Sequence, residues 1–195
     1  DPMAATLRPF AASQLAGLDS RAIDDTADTG IAVLIPTVDY TVTLSARTRV
    51  DARALPYIDP TDVATISDLN STSVDLDSLG SEAAVVGASV TEFGATFALE
   101  GEINGHRISA GITPKAQWIE TYHYSTGVTN FDSGSVLDEF RSAPYRNNFT
   151  DYNVDLGLAY ELQPGATVGL AALNVLRDSY TTVNQAGREF TYWIE

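Results

Sequence analysis

The sequence contains no cysteine and only two histidines among its 195 residues. The lack of cysteine excludes disulfides, thiol catalysis and cysteine-bound zinc, and leaves the redox compartment open. Long apolar runs are missing too: the longest is Ile31–Ile35, so no transmembrane helix is predicted. His106 and His123 lie seventeen residues apart on one predicted strand, so we interpret them as surface or interface residues rather than as metal ligands.

Positive charge is also scarce. The chain has 11 lysines and arginines against 26 aspartates and glutamates, for a formal net charge of −15. Such a composition is unsuited to the phosphate backbone of nucleic acids, whose binding needs Lys and Arg. It is equally unsuited to a basic patch that docks on anionic lipid headgroups. We therefore expect no nucleic-acid partner, and the length indicates one domain with a sizeable core.

What the sequence does contain is long stretches in which apolar and polar residues alternate. In the stretch Asp151–Leu162 one side carries tyrosines and aliphatic residues and the other carries polar and small ones, which is the period of a β-strand. Similar patterns predict strands at about 37–50, 84–100, 104–124 and 167–178, and at 188–195. The count of strands is six or seven, and most are longer than the usual five or six residues or so.

Two segments lack this alternation. Residues 1–30 have weak helical spacing followed by an acidic, turn-prone run, and are predicted to form a helical or loop segment. Residues 51–83 are predicted to be a helix-containing insertion, with a short helix at about 60–80. Asp59 is a candidate N-cap, Pro60 suits the first helical position, and Val63 and Ile66 follow at helical spacing.

The predicted connections alternate between long and short. Those at 51–83 and 125–150 are long, those at 101–104 and 163–166 are short, and the one at 179–187 is intermediate. Outer-membrane barrels show this alternation, because their periplasmic turns are short and their external loops are long. The sequence therefore predicts an all-β fold, an antiparallel up-and-down transmembrane β-barrel. The residues predicted to face lipid are Tyr152, Val154, Leu156, Leu158 and Tyr160.

The polar sides of these strands would then line the lumen. The predicted lumen-lining residues carry charges of both signs: Arg47, Arg49, Glu92, Arg107, Lys115, Asp155 and Glu161. Such charges either pair across strands and plug the interior or line a water-filled passage. Because a closed single-chain barrel needs at least about eight strands, residues 1–195 are expected to form a single but incomplete barrel domain.

Three segments carry a resemblance to a known family: GASVTEFGATFAL, then ISAGITPKAQWIETYHYS, then NFTDYNVDLGLAYEL followed by ATVGLAALNVL. Over residues 31–195 the chain resembles the TraF-like proteins of the F-plasmid-transfer-operon outer-membrane family, which are similar to FadL-like and PorV-like barrels. The resemblance implies an outer-membrane protein of a Gram-negative bacterium, in contact with lipid, with a pore, transport or surface role. That role would be associated with conjugation or with the passage of a small apolar ligand. It supplies no active-site residues and no cofactor, and it leaves the oligomeric state open.

Two other classes of protein remain as alternatives. A soluble all-β binding domain would bury the apolar faces between two sheets. An aspartic-type hydrolase is suggested by two Asp-Ser/Thr-Gly motifs, at Asp132 and at Asp28. Neither motif follows an apolar strand, and Asp and Gly are common in turns, so we expect a non-enzymatic protein without catalytic residues. No metal site is expected either: the acidic stretch from Asp68 has Ser73 and Leu79 where a calcium loop needs Gly and Glu.

Overall fold

A computed structural model of the chain describes residues 9–10, 12–14, 16–17, 22–68, 75, 78–127, 142–185 and 187–194. The strands are β1 (Ile23–Pro36), β2 (Tyr40–Tyr57), β3 (Glu82–Ile103), β4 (His106–Gly127), β5 (Arg146–Gln163), β6 (Ala166–Ala172), β7 (Asp178–Thr181) and β8 (Thr191–Ile194). Helix α1 spans Pro60–Ser67, and a 3₁₀ turn spans Ala143–Tyr145. Strands β1 to β6 form one curled antiparallel sheet in chain order, and β7 pairs with β8. The all-β antiparallel prediction is confirmed.

Short and long connections alternate along the six-stranded sheet. Strands β1 and β2 are joined by residues 37–39, β3 and β4 by 104–105, and β5 and β6 by 164–165, whereas 58–81 and 128–145 form the long connections. Asn104 and Gly105 both have positive φ, as a two-residue hairpin turn requires. Because the strands run up and down in order, the three short turns lie at one end of the sheet and both long connections at the other. We call these the short-turn end and the long-loop end.

The boundaries of β1 and β2 differ from the sequence-based expectation. The strand β1 begins at Ile23, inside the first thirty residues that were expected to be helical or loop, although the described residues between 9 and 16 are helical. Its acidic residues Asp24 and Asp28 form ion pairs with arginines of β2, which offsets the low β-propensity of aspartate. The strand β2 continues to Tyr57, so the insertion spans 58–81 rather than 51–83.

The helix of the insertion lies within the predicted range. Asp59 accepts a hydrogen bond from the Thr61 amide at 2.7 Å, as an N-cap does, and Pro60 occupies the first position. The buried Asp62 accepts bonds from the amides of Gly80 (3.0 Å) and Ser81 (2.6 Å) and from the Ser81 hydroxyl. These bonds tie the helix to the start of β3. In the part of the chain that the structure describes, no helix has the length and apolar character to cross a bilayer.

The register divides the sheet into two faces. Arg47, Glu92, Gln117 and Asp151 lie opposite one another across four strands, so their side chains share a face. We call this the inner face, because residues 173–194 fold back against it, and the opposite side the outer face. The core lies on the inner face at the long-loop end, where the buried residues include Val86, Ala88, Ile119, Thr121 and His123.

Candidate functional site: the two faces of the curled sheet

The residues predicted to face lipid all lie on the outer face of β5. Tyr152 is 70% exposed and Leu158 is 50% exposed. In a soluble sandwich such residues would be buried against a second sheet. Here the second sheet that the described residues form, β7 with β8, belongs to the segment on the inner face. The apolar side of β5 therefore faces outward without a covering layer among the described residues.

This exposed apolar surface continues across the whole sheet. Its large members on the other strands are Ile31, Val33, Ile35, Tyr40, Leu44, Phe93, Phe97, Leu99, Ile112, Trp118, Val168 and Leu170. We call the surface the apolar band. It begins at Phe93 and Trp118, whose rings meet edge to face at 5.6 Å, passes Tyr40 and Tyr160, and ends at the short-turn end with Ile103, which is also exposed on the outer face. The ten steps from Phe93 to Ile103 span roughly 33 Å along the strand, or about 25 Å in height at the ~40° tilt of barrel strands.

Above the apolar band, toward the long-loop end, the outer face of β3 to β5 becomes polar. Ser89, Thr91, Asn148 and Thr150 occupy outward positions there, and the hydroxyls of Thr48 and Thr91 lie 3.1 Å apart. On β1 and β2 the outer face still carries the exposed Ile23 and Val50 in this region. The upper edge of the band is therefore marked on β3 and β4 by the rings of Phe93 and Trp118, in the position of the aromatic residues of a membrane barrel.

The centre of the inner face holds a lysine between two carboxylates. Lys115 Nζ lies 3.1 Å from Glu92 Oε1 and 2.9 Å from Asp155 Oδ1, and its side chain is only 7% exposed. The Gln117 amide also donates to Glu92. Gly94 lies directly opposite Lys115 in the register. A Cβ at Gly94 would come within 2.9 Å of the Ser45 hydroxyl and 3.2 Å of the Thr113 methyl, so the glycine leaves room for these two side chains beside the lysine.

All seven residues predicted to line a lumen lie on the inner face, and each takes part in an ion pair. Besides the pairs of Lys115, Arg107 lies 3.2 Å from Glu161 and 3.8 Å from Glu100, Arg49 lies 2.8 Å from Asp51, and Arg47 pairs with Asp28. The partners Asp28, Asp51 and Glu100 were missed. Glu100 has the same strand parity as Glu92 and was detectable, whereas Asp28 and Asp51 lie in stretches that were not predicted to be strand.

A cavity of about 450 Å³ opens beside this charge cluster. Its walls combine the paired charges and the hydroxyls of Ser45, Thr96 and Thr113 with the apolar residues Ile31, Ala32 and Ala46. The hydroxyls of Thr96 and Thr113 lie 2.8 Å apart. The charges and hydroxyls of these walls can hold water and hydrophilic groups.

The long-loop half of the inner face is covered by the chain itself. The strand β6 ends at Ala172, earlier than the predicted strand at 167–178, and the chain then turns onto the inner face. We call residues 173–183 the inner segment. Its backbone is bound by side chains of β4 and β5: Asp155 to the Asn174 amide (2.8 Å), Asn153 to the Leu176 amide (3.0 Å) and carbonyl (2.8 Å), Thr121 and Asn147 to the Thr181 carbonyl (2.8 and 3.1 Å), and His123 Nδ1 to the Val183 carbonyl (3.0 Å).

Aromatic and hydroxyl groups complete this contact. The Tyr180 hydroxyl donates to Asp151, and its ring packs on Phe149 at 5.2 Å. Burial and then this bond to Asp151 raise the pKa of Tyr180 well above its usual value, so the hydroxyl remains a donor at ordinary pH. His123, which was expected at a surface or interface, is fully buried and meets the Phe190 ring edge to face at 5.0 Å. Its position on the inner face under the inner segment explains the difference.

Among the described residues, no pair of catalytic aspartates supports the hydrolase alternative. Asp28 is ion-paired with Arg47, and Asp132 lies outside the residues that the structure describes. Within those residues, moreover, no group of three or more His, Asp or Glu side chains is arranged to hold a metal ion. Asn70 and Thr72 of the acidic stretch tested for calcium also lie outside them.

His106 donates from Nδ1 to the Glu161 carbonyl at 3.0 Å, which gives it a structural contact at the short-turn end.

Comparison with known proteins identifies one family. The model described as F plasmid transfer operon, TraF, protein matches residues 10–195, which is nearly the whole chain. No curated protein and no solved structure matches it.

Proposed function

The chain belongs to the F plasmid transfer operon TraF family, and we propose that its six-stranded sheet is part of the wall of an outer-membrane β-barrel in a Gram-negative bacterium. In this proposal the outer face contacts lipid and the inner face lines a hydrophilic interior. The protein is not an enzyme, and it acts as a pore, transporter or surface component. The family's description supports a role related to conjugation. The similarity to FadL-like and PorV-like barrels, which the sequence resemblance implies, is part of the same proposal.

The apolar band is the observation that carries this proposal. Monomeric soluble proteins rarely expose contiguous apolar patches larger than a few hundred Å². Here exposed residues from all six strands form one surface, with aromatic residues at its edges. Its height of about 25 Å equals that of the apolar band of outer-membrane barrels. Lipid is the one environment that would cover such a surface evenly from every side.

The inner face supports the second half of the proposal. Its charges are paired across strands, and its cavity is lined by charges and hydroxyls together with three apolar residues. The charged part of this lining favours a water-filled passage, which is one of the two interiors predicted from the sequence. The order of the faces, polar inside and apolar outside, is the reverse of that in a soluble β-barrel.

The first test is fractionation of the full chain. Expressed behind a secretory signal in a Gram-negative host, the protein should sediment with outer membranes and need detergent for extraction. Its mobility on a gel should also change on heating. A monodisperse protein in plain buffer would favour the soluble binding domain instead, with the apolar band covered by some other partner.

A second test places the two faces separately. Because the chain has no cysteine, each introduced thiol is unique. Leu158→Cys on the outer face should carry a fluorophore that nitroxide groups on lipid acyl chains quench. The matched controls are Ala159→Cys on the inner face and Thr150→Cys above the apolar band, and both should react with a water-soluble maleimide in vesicles. Equal reaction at all three positions would contradict the proposal.

A further inference from the structure

The inner segment is attached to the sheet mainly through its backbone. The side chains of Asn153, Thr121, Asn147 and His123 reach its amides and carbonyls, which a chain of any sequence would offer. Hydrogen bonds of this kind are exchanged for bonds to water at small net cost when both partners become solvated. The attachment is therefore specific in geometry but weakly held.

Apolar burial adds little to it at the beginning of the segment. Leu173, Val175 and Leu176 are all exposed, Leu176 by 55%. Removal of apolar surface from water is the main stabilising term in packed elements, and regions with few buried apolar contacts open locally first. The firm part of the contact is the buried pair Tyr180 and Thr182. Tyr180 belongs to β7, and β7 and its partner β8 have only four residues each, a length that is marginal for a hairpin by itself.

The segment also touches the charge cluster. The Asn174 amide donates to Asp155 Oδ1 at 2.8 Å, and the Gln117 amide lies 3.4 Å from Asn174 Oδ1. Asp155 and Gln117 are thereby shared between the inner segment and the ion pairs of Lys115 and Glu92. Asn174 itself has a positive φ of 47°, the conformation of a tight turn, and the next residue, Val175, still donates its amide to the Val154 carbonyl of β5 at 3.0 Å, so the chain enters the inner face after Val175.

We propose that the inner segment, residues 173–183, is a displaceable plug that covers the long-loop half of the inner face and opens it when its side-chain-to-backbone bonds are released. The turn at Asn174 is the hinge, and Tyr180 with Asp151 is the latch. The effect of the plug on passage rests on the proposed function. With the plug in place the hydrophilic interior is closed beyond the charge cluster, and with the plug displaced the interior is continuous toward the long-loop end.

The test uses a thiol beneath the plug. Thr121→Cys replaces a fully buried residue with a thiol that keeps a weak donor toward the Thr181 carbonyl, and the rate of its alkylation by a water-soluble maleimide, compared only within this background, reports opening. In the full-length protein, the added substitution Asn153→Ala removes both bonds to Leu176 and should raise this rate about tenfold, the equivalent of roughly 1.4 kcal/mol. Tyr180→Phe should raise it severalfold. The control Ser109→Cys lies on the inner face near the short-turn end, and its rate should not change.

Two results would overturn the plug. One is an unchanged rate at Thr121→Cys, which would make the segment a permanent part of the core. The other is equal acceleration at Thr121→Cys and Ser109→Cys, which would indicate general loosening of the fold. The labelling is done in a medium that keeps the protein monodisperse. It therefore tests whether the inner segment is displaced, independently of whether the protein lies in a membrane. Conductance in vesicles is measured separately: Asn153→Ala should increase it, and its absence from every variant would count against the pore alone.

Discussion

The two ends of the same sheet are stabilised in different ways. At the long-loop end, Val86 on the inner face of β3 is 3% exposed beneath the folded-back chain, whereas Glu100, fourteen residues along the same face of the same strand, has a side chain that is 62% exposed. The long-loop end thus has a core of the kind that soluble proteins have. The short-turn end has a single layer with the apolar band on one side and paired charges on the other.

The difference shows which part of the molecule needs an environment. A single sheet with an exposed apolar face lacks the second layer that a soluble domain requires. In the proposed barrel wall, β2 to β5 satisfy one another's backbone groups, the apolar side chains contact acyl chains instead of water, and further strands would pair with the edge strands β1 and β6. The comparison therefore predicts that substitutions at the two ends will differ in their cost, and in the medium where that cost appears.

The largest difference is expected for charges on the inner face. Lys115→Met leaves Glu92 and Asp155 facing each other without a cation, so the free energy of unfolding should fall by ~3–5 kcal/mol. Arg107→Met at the short-turn end removes an exposed side chain and should cost about 0–1 kcal/mol. Denaturant unfolding followed by tryptophan fluorescence measures both. Adding Glu92→Gln to Lys115→Met should recover part of the loss, and a larger loss in the double variant would contradict this account.

The next largest effect concerns the outer face in lipid. Leu156→Arg places a cation inside the apolar band and should cost ~2–4 kcal/mol, whereas Thr150→Arg in the polar region of the same strand should cost about 0–1 kcal/mol. The measurement is equilibrium unfolding from vesicles, together with the fraction recovered in membranes. If both arginines cost the same, the edge of the band at Phe93 and Trp118 does not mark a lipid boundary.

A smaller effect is expected at the insertion, where Asp62 joins α1 to β3. Burial would raise its pKa, but hydrogen bonds from Ser81 and from the Gly80 and Ser81 amides outweigh burial and hold the pKa below its usual value. A lowered pKa contributes stability above the unfolded value of about 4, and that stability is lost as the pH falls through the folded pKa. Asp62→Asn should therefore cost ~1–3 kcal/mol at pH 7, and the difference from the native chain should shrink below pH 4.

The smallest effect is the coupling of the two rings at the edge of the apolar band. A double-mutant cycle with Phe93→Leu and Trp118→Leu should give an interaction energy of about 0.5–1.5 kcal/mol, which is typical of edge-to-face pairs. The cycle is measured by chemical unfolding. Zero coupling would mean that the rings are held independently by their surroundings and not by each other.

Several features of the site were accessible from residues alone. The alternation in Asp151–Leu162 predicted which side chains of β5 share a face, because side chains in a strand point alternately to opposite sides whatever surrounds them. The same rule placed Arg47, Glu92 and Lys115 together. The alternation of connection lengths is likewise a local property, and it predicted the up-and-down order of the sheet.

Other features depend on distant partners. Ile23–Gly30 is rich in aspartate and reads as loop, yet it is strand because arginines of β2 lie opposite Asp24 and Asp28. The stretch after Ala172 keeps an alternating pattern but leaves the sheet, because its backbone is bound by side chains of β4 and β5. These contacts are non-local, and no pattern within either segment contains them.

The sequence by itself determined the type of fold and the character of its two faces, since strand periodicity and the sign of each charge are written in neighbouring residues. Only the tertiary structure decided which charges pair, where the sheet begins, and that residues 173–183 cover the inner face above the charge cluster. The physical reason is register: ion pairs and side-chain-to-backbone bonds form between residues far apart in the chain, and their partners exist only once the strands have aligned.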